Sequence, residues 1–425
     1  VGPLEPLPPE PPANRFDVTG DLIRAQLLRL GPTGVVEDLA VEGHVNVLET
    51  QTANVGEAPV TMQGTILQLQ KGSTTDAVVQ IVGQPAVVTA RGMKLVGASV
   101  KMHRGENRIW IDGPVEADVP LGSEFFAPPG VPQIPQEQAA SGKPQIAKVL
   151  WKGGAKFDGQ TLTVVKNVVA RTEEERQLLM AESLIVTLDR YVDFQKSMDR
   201  PPQVATLKVD GGVFLQSRTV DERLRLTSVE QFQVKNFSID QRTGRIEAEG
   251  PGWLSSSRTA GGALPGAAAV APSSLLPNED EKLTYLRVTF QGNIVGSITN
   301  REMQFQRQVR TVVGPIARWE DKFDPQSAQE LGESGVVLTS DKMTVAEMQK
   351  LGAQLGQQQS AMEFEAAGNV MVEGKGVVAK AQRIRYSTAK ELLIVEGEGR
   401  TPAELWYRVG PSKPEAYQAA RKIKF

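Results

Sequence analysis

Three 14-residue windows of the sequence align without a gap: Val100–Gly113 (VKMHRGENRIWIDG), Phe237–Gly250 (FSIDQRTGRIEAEG) and Ile384–Gly397 (IRYSTAKELLIVEG). Each reads apolar-x-apolar, a polar stretch with turn formers, apolar-x-apolar, then an acid and a glycine. Period-two alternation on both sides of a turn is the pattern of a β-hairpin, and the closing glycine admits positive φ. The aligned apolar positions are Val100, Phe237 and Ile384; Met102, Ile239 and Tyr386; Ile109, Ile246 and Leu393; Ile111, Ala248 and Val395. Side chains alternate between strand faces, so in each second strand the apolar pair shares one face. Trp110 and Asp112, Glu247 and Glu249, Ile394 and Glu396 take the other. A sheet with one apolar face must bury it against itself, another sheet or a ligand. The twelve aligned residues are therefore candidates to line a core or a groove.

The windows start 137 and 147 residues apart, and a stretch rich in Pro, Gly, Ala and Ser falls within each interval. Such stretches bury little and read as linkers. The predicted organisation is all-β: a Pro-rich tether over 1–13, a β-roll over 14–116, a linker over 117–147, a second roll over 148–254, a linker over 255–280, a third roll over 281–410 and a basic tail over 411–425. A second recurring unit sets a glycine between short strands, at AVEGHVNV (40–47), KFDGQTLTV (156–164), KVDGGVFL (208–215), TFQGNIVG (289–296) and EAAGNVMV (365–372). Glycine there lets a strand bend or bulge at a corner. Helix is scarce; the candidates are Val345–Gln359, with Met348, Leu351 and Leu355 at i, i+3 and i+7, and Pro414–Lys422.

The stretch Phe364–Gly399 resembles the OstA-like (LptA-like) family of lipopolysaccharide-transport β-jellyrolls. Gly368–Asn369–Val370 stands at the family's Gly-Asn-Val, and Ala381, Ile384 and Tyr386 at its A-x-x-I-x-Y. Gly292–Asn293–Ile294 gives a second match, and Phe157–Gly159 a third without the Asn. The resemblance implies a V-shaped open roll of antiparallel strands whose interior holds acyl chains, stacked edge to edge with similar domains. Three copies joined by long linkers depart from the family's single short domain.

Composition narrows the chemistry. The chain has 425 residues, no Cys and 2 His, which removes thiol nucleophiles, disulfides, thiolate metal sites and clusters of three histidines. With 47 basic and 50 acidic residues, no net field attracts nucleic acid. His44 and His103 lack a partner at metal-ligand spacing and read as surface residues. Acid pairs such as Glu247/Glu249 and Glu363/Glu365 read as exposed strand faces, and RTEEER (171–176) and EDEK (279–282) as solvated strand ends or loops. Neither a GxxxxGK[ST] loop, a strand–GxGxxG–helix unit nor a GxSxG elbow is present. The five tryptophans read as bulky plugs at domain rims rather than stacking platforms.

The expectation is a non-enzymatic protein of the periplasm or cell envelope, with any anchor upstream of residue 1. It would bind lipid or lipopolysaccharide acyl chains in an apolar roll, meet other β-roll proteins through edge strands, and need neither cofactor nor metal. A closed-core scaffold of the envelope is the alternative.

Overall fold

The computed structural model describes residues 15–30, 33–52, 58–90, 93–121, 145–172, 176–193, 202–221, 223–259, 283–332, 335–348, 361–374, 376–387, 392–408 and 416–424. They fall into two compact units, one on residues 15–121, 145–172 and 181–205, the other on 176–180 and 206–424. The first holds β1 (Arg15–Thr19), β2 (Leu22–Leu30), β3 (Thr33–Gln51), β4 (Thr61–Gln70), β5 (Val78–Ala90), β6 (Met93–His103), β7 (Arg108–Asp112), β8 (Val115–Leu121), β9 (Gln145–Trp151), β10 (Ala155–Phe157) and β11 (Thr161–Thr172). Next in the chain comes β12 (Gln177–Leu188). The second unit is built from β13 (Val204–Val220), β14 (Leu226–Asp240), β15 (Arg245–Glu249), β16 (Gly252–Thr259), β17 (Leu283–Phe290), β18 (Asn293–Ser297), β19 (Glu302–Ile316), β20 (Val336–Met348), β21 (Ala361–Gly374), β22 (Val377–Ser387), β23 (Leu392–Glu396), β24 (Ala403–Tyr407), β25 (Ala416–Ala420) and β26 (Lys422–Lys424). Pairing is antiparallel throughout, and helix among the described residues is confined to a 3-10 turn at Ala328–Leu331.

All three windows form hairpins in the same register. Val100 faces Ile111 and Met102 faces Ile109; Phe237 faces Ala248 and Ile239 faces Ile246; Ile384 faces Val395 and Tyr386 faces Leu393. The acid–Gly ending is not the close of the hairpin but a corner. Beyond it the chain stays beside the same long strand and runs on as β8, β16 or β24, which pair with the other half of β6, β14 and β22. Each rung of the ladder, whether one long bent strand or two short ones, thus gives half its length to a hairpin arm and half to a second arm, the loop arm. In chain order the hairpin recurs at every sixth rung: β6, β14, β22.

Bending a strand without losing its ladder requires an extra residue in an unusual conformation. Five long strands use two consecutive left-handed residues: Gly43–His44, Lys166–Asn167, Gly211–Gly212, Arg307–Gln308 and Gly368–Asn369. Register slips at these points, as between Glu42 and Val45 or Ala367 and Val370. Side chains on adjoining segments serve the corners. Asn236 accepts a hydrogen bond from the Gly211 amide at 3.3 Å, Asp341 one from the Asn369 side-chain amide at 2.7 Å, and Asp21 sits 2.8 Å from His44 Nδ1. The recurring glycines at 43, 211 and 368 are therefore corners, as predicted. Gly159 instead lies in the β10–β11 turn, and Gly292 bends the chain between β17 and β18 without positive φ.

The segments predicted as linkers are bracketed by strands that pair with each other. β8 pairs with β9 from Val115–Trp151 to Leu121–Gln145, and β16 with β17 from Gly252–Phe290 to Thr259–Leu283. Residues 122–144 and 260–282 therefore connect neighbouring strands, and lie outside the described residues, as do 1–13, the acids 173–175 of the run 171–176, whose first two residues end β11, and the run 279–282. Both helix readings are corrected. Val345–Met348 ends β20, with Val345 opposite Phe364, and 349–359 lie outside the described residues. The predicted basic tail supplies β25 and β26, with Tyr417 opposite Trp406 and Ile423 opposite Val395. Cross-strand pairing to an apolar neighbour overrode local helical spacing.

Side-chain rows follow the ladder. On the hairpin arm of the second unit, Val209, Phe237, Ala248, Ile294, Phe305, Met343, Ala366, Ile384, Val395 and Ile423 are successive cross-strand neighbours, each at most 5 % exposed. This continuous row makes the core long and shared by every rung. Ile294→Ala should cost about 2–5 kcal/mol in urea unfolding, whereas Glu247→Ala on the outer face should stay within about 0.5 kcal/mol. At the corners, Gly212→Ala meets open space and should lose only the backbone cost, about 1–2 kcal/mol. Gly368→Ala should lose more, because its Cβ would lie 2.5 Å from an Asp341 oxygen.

Candidate functional site

The inner face of the first unit changes with distance from the corner. On its hairpin arm the row next to the corner runs through Val41, Leu67, Ile81, Val100, Ile111, Ala155 and Val164, none more than 9 % exposed. One step out on the same face, the row from Leu39 through Leu69, Val79, Met102, Ile109 and Phe157 to Leu162 is half-buried at every position. The loop arm follows this only in part. Val45, Ala86, Val115, Trp151 and Val168 are buried near the corner, while Met62, Val88, Leu95 and Val149 farther out are half-buried, with Val47, Ala117 and Ala170 buried among them. Exposure thus rises outward along the hairpin arm, whereas the loop arm alternates between buried and half-buried positions. The half-buried hairpin-arm row is an apolar strip without a charged side chain, and it is the candidate cleft of the first unit.

In the second unit the loop arm is sealed, while Ile239, Tyr386 and Leu393 on the hairpin arm stay half-buried. The loop-arm row from Leu215 through Phe232, Leu254, Val288, Thr311 and Leu338 to Val372, Ala379 and Leu405 is buried throughout. Thr311 donates its hydroxyl to Met343 Sδ at 3.1 Å, joining the inner row of the loop arm to that of the hairpin arm. Farther out, Arg258 Nη2 donates to Glu230 Oε1 at 2.6 Å and its Nε to Ser256 Oγ at 3.0 Å, an ion pair almost wholly buried.

Of the twelve residues predicted from sequence, Val100, Ile111, Phe237, Ile246, Ala248, Ile384 and Val395 are buried, and Met102, Ile109, Ile239, Tyr386 and Leu393 are half-buried. The aligned windows bring them onto equivalent rungs, in two units. Leu39, Leu69, Val79, Phe157 and Leu162, which complete the half-buried row, were missed although each lies two residues from a buried neighbour in a period-two strand.

The remaining candidates resolve into structural roles. His44 is an exposed corner residue beside Asp21, and His103 Nδ1 accepts the Glu106 amide at 3.2 Å within the first hairpin turn. No group of three or more His, Asp or Glu residues arranged to hold a metal occurs among the described residues. Trp151 packs into the first unit's corner; Trp253 lies beside Phe214, with the Arg287 guanidinium 5.2 Å from its ring, and donates to Gln233 at 3.0 Å; Trp406 lies beside Tyr417.

Burial pushes the Glu230 carboxyl up from its ordinary value, outweighing the pull of Arg258 in the opposite direction. A folded-state value above the unfolded one favours folding most below the ordinary carboxylate range, about pH 4.5, and that contribution is lost as pH rises through the raised value. Urea stability of the wild-type protein minus that of Glu230→Gln should therefore fall as pH climbs from 4 towards 7. A flat or rising difference would mean that Arg258 outweighs burial.

No protein-family model matches the chain, and no curated protein matches it.

Proposed function

We propose that the protein is a non-enzymatic component of the cell envelope that holds lipid acyl chains in the apolar cleft of its first unit. The observation that carries this reading is the outward rise in exposure along the inner face of the hairpin arm there. A closed core has no use for rows of large apolar side chains left half-exposed. Partition into such a cleft gains about 0.8 kcal/mol per buried CH₂ and requires neither cofactor nor reaction. The resemblance of Phe364–Gly399 to lipopolysaccharide-transport β-jellyrolls points the same way, to a periplasmic site and to lipopolysaccharide or a related lipid as the cargo. Edge strands in such proteins offer unpaired backbone groups, so partners of similar fold would be met there.

A second reading is favoured by the buried loop-arm row of the second unit: an envelope scaffold whose β-rolls are dry. The two part under one experiment. A photo-crosslinking residue at Ile109 or Met102 should yield lipid adducts in envelope extracts, and one at the outward Glu247 should not. Native mass spectrometry of gently purified protein should show co-purifying lipid. Adducts from Glu247 alone, or protein free of lipid, would favour the scaffold.

A further inference from the structure

Just past β12, Tyr191 is held in an unusual way at the rim of the first unit's cleft. Its side chain is half exposed, yet its hydroxyl is 3.0 Å from the Asn107 side-chain amide, which donates to it, and Asn107 is itself buried to 8 % exposure. Its ring lies against Gly159, where an added Cβ would come within 2.5 Å of the ring carbons. The neighbouring backbone is fixed as well. Val192 donates its amide to the Gly159 carbonyl at 2.6 Å, Leu188 to that of Gln160 at 2.9 Å, and the Gln203 amide reaches Asp189 Oδ1 at 2.8 Å. Asn107 sits in the turn of the β6–β7 hairpin and Gly159 in the turn between β10 and β11. These two turns are the outer ends of the rungs that carry Met102, Ile109, Phe157 and Leu162. Segment 188–192 therefore lies against the turns that end the last rungs of the half-buried row, and none of these contacts involves the rungs of Leu39, Leu69 or Val79.

We infer that Tyr191 is a clasp that positions one end of an acyl chain in this cleft, a conclusion that rests on the lipid-binding reading above. The row offers no charge or hydrogen-bonding group to an occupant, so it complements an uncharged, flexible hydrocarbon lying across the rungs. Tyrosine suits the boundary of such a site, with its ring on the apolar side and its hydroxyl turned to a polar partner. The rungs beneath the ring bury more of a chain than the open rungs nearer β3, so a short chain settles under Tyr191 and a long one extends from it along the row. An eight-carbon chain spans about two rung spacings of ~4.8 Å, and a sixteen-carbon chain about four, enough to pass from Ile109 to Leu69.

The test uses the full chain with a photo-crosslinking residue at Ile109 or at Leu69, incubated with octanoic or palmitic acid and read by mass spectrometry. Octanoate should label Ile109 over Leu69 by roughly tenfold, the equilibrium effect of burying about two additional CH₂ groups. Palmitate should label both. In Tyr191→Ala the octanoate preference should fall to near unity, while Tyr191→Phe, which keeps the ring and loses the Asn107 contact, should retain most of it. Thermal melting identifies a variant that fails to fold, and in that event the Tyr191→Phe and wild-type ratios still decide. Equal octanoate labelling of the two positions in the wild-type protein, or an unchanged ratio in folded Tyr191→Ala, overturns the clasp while leaving lipid binding intact. Absence of any adduct with either acid overturns the lipid-binding reading itself.

Discussion

Everything in this fold depends on bending a β-strand without interrupting its hydrogen bonds to both neighbours. A strand that stayed straight would leave its apolar face open to water; a strand that broke would leave amides unpaired. Two successive left-handed residues solve this locally, by adding one residue to the bent strand and letting the ladder resume on the far side in a shifted register. Glycine lowers the backbone cost of such corners but is not obligatory. Lys166–Asn167 and Arg307–Gln308 adopt the same conformation, where five glycines and asparagines serve at the other corners alongside His44. Asparagine tolerates this region better than most residues, whereas lysine, arginine and glutamine do so at a cost that the paired strands on both sides must offset.

Because every rung bends at the same place, the inner face of each arm is a stack of aligned rows, and each row behaves as one element. A row next to the corner is covered by the opposite arm and can be packed with any apolar side chain. Rows farther out are covered only as far as the arms stay together. On the loop arm of the second unit they are covered, and the contact of Thr311 with Met343 and the buried Arg258–Glu230 pair lie on that face. A buried ion pair is costly to desolvate and its net contribution to stability is small, but removing one partner leaves a stranded charge, so it ties those rungs to one arrangement. The first unit has no such pair among the described residues of its inner rows, and the outer row of its hairpin arm remains half-buried.

The hairpins were legible because their information is local: two alternating segments, a turn and a fixed ending lie within 14 residues, and the register found is the one the alignment of Val100, Phe237 and Ile384 implies. Glycine corners at 43, 211 and 368 were legible for the same reason. Corners built on Lys166 and Arg307 were not, since nothing in those residue types announces left-handed backbone. The long Pro- and Ala-rich stretches misled in a different way. Composition reports that a segment cannot join a core, but not whether the strands flanking it belong to one sheet; only the pairing of Val115 with Trp151 and of Gly252 with Phe290 decides that. Likewise Met348 stands at a helical spacing from Leu351 and Leu355, yet Val345, three residues before it, is placed by Phe364, a contact that sequence spacing does not encode.

The candidate site is the part least accessible to such reading, because it is defined by a difference in cover rather than by a residue type. Met102 and Ile109 belong to the same alternation as Val100 and Ile111, and the sequence offers no sign that one pair is sealed and the other partly wet. What separates them is how far each row stands from the corner and whether the opposing arm follows it outward. Tyr191 shows the same dependence: a single aromatic residue after a strand carries no motif, and its place at the rim exists only because Gly159 leaves room for the ring and Asn107, 84 residues upstream, supplies a buried amide for its hydroxyl. In a fold of aligned rows, specificity therefore resides in how the rims are finished, through residues brought in from outside the repeat.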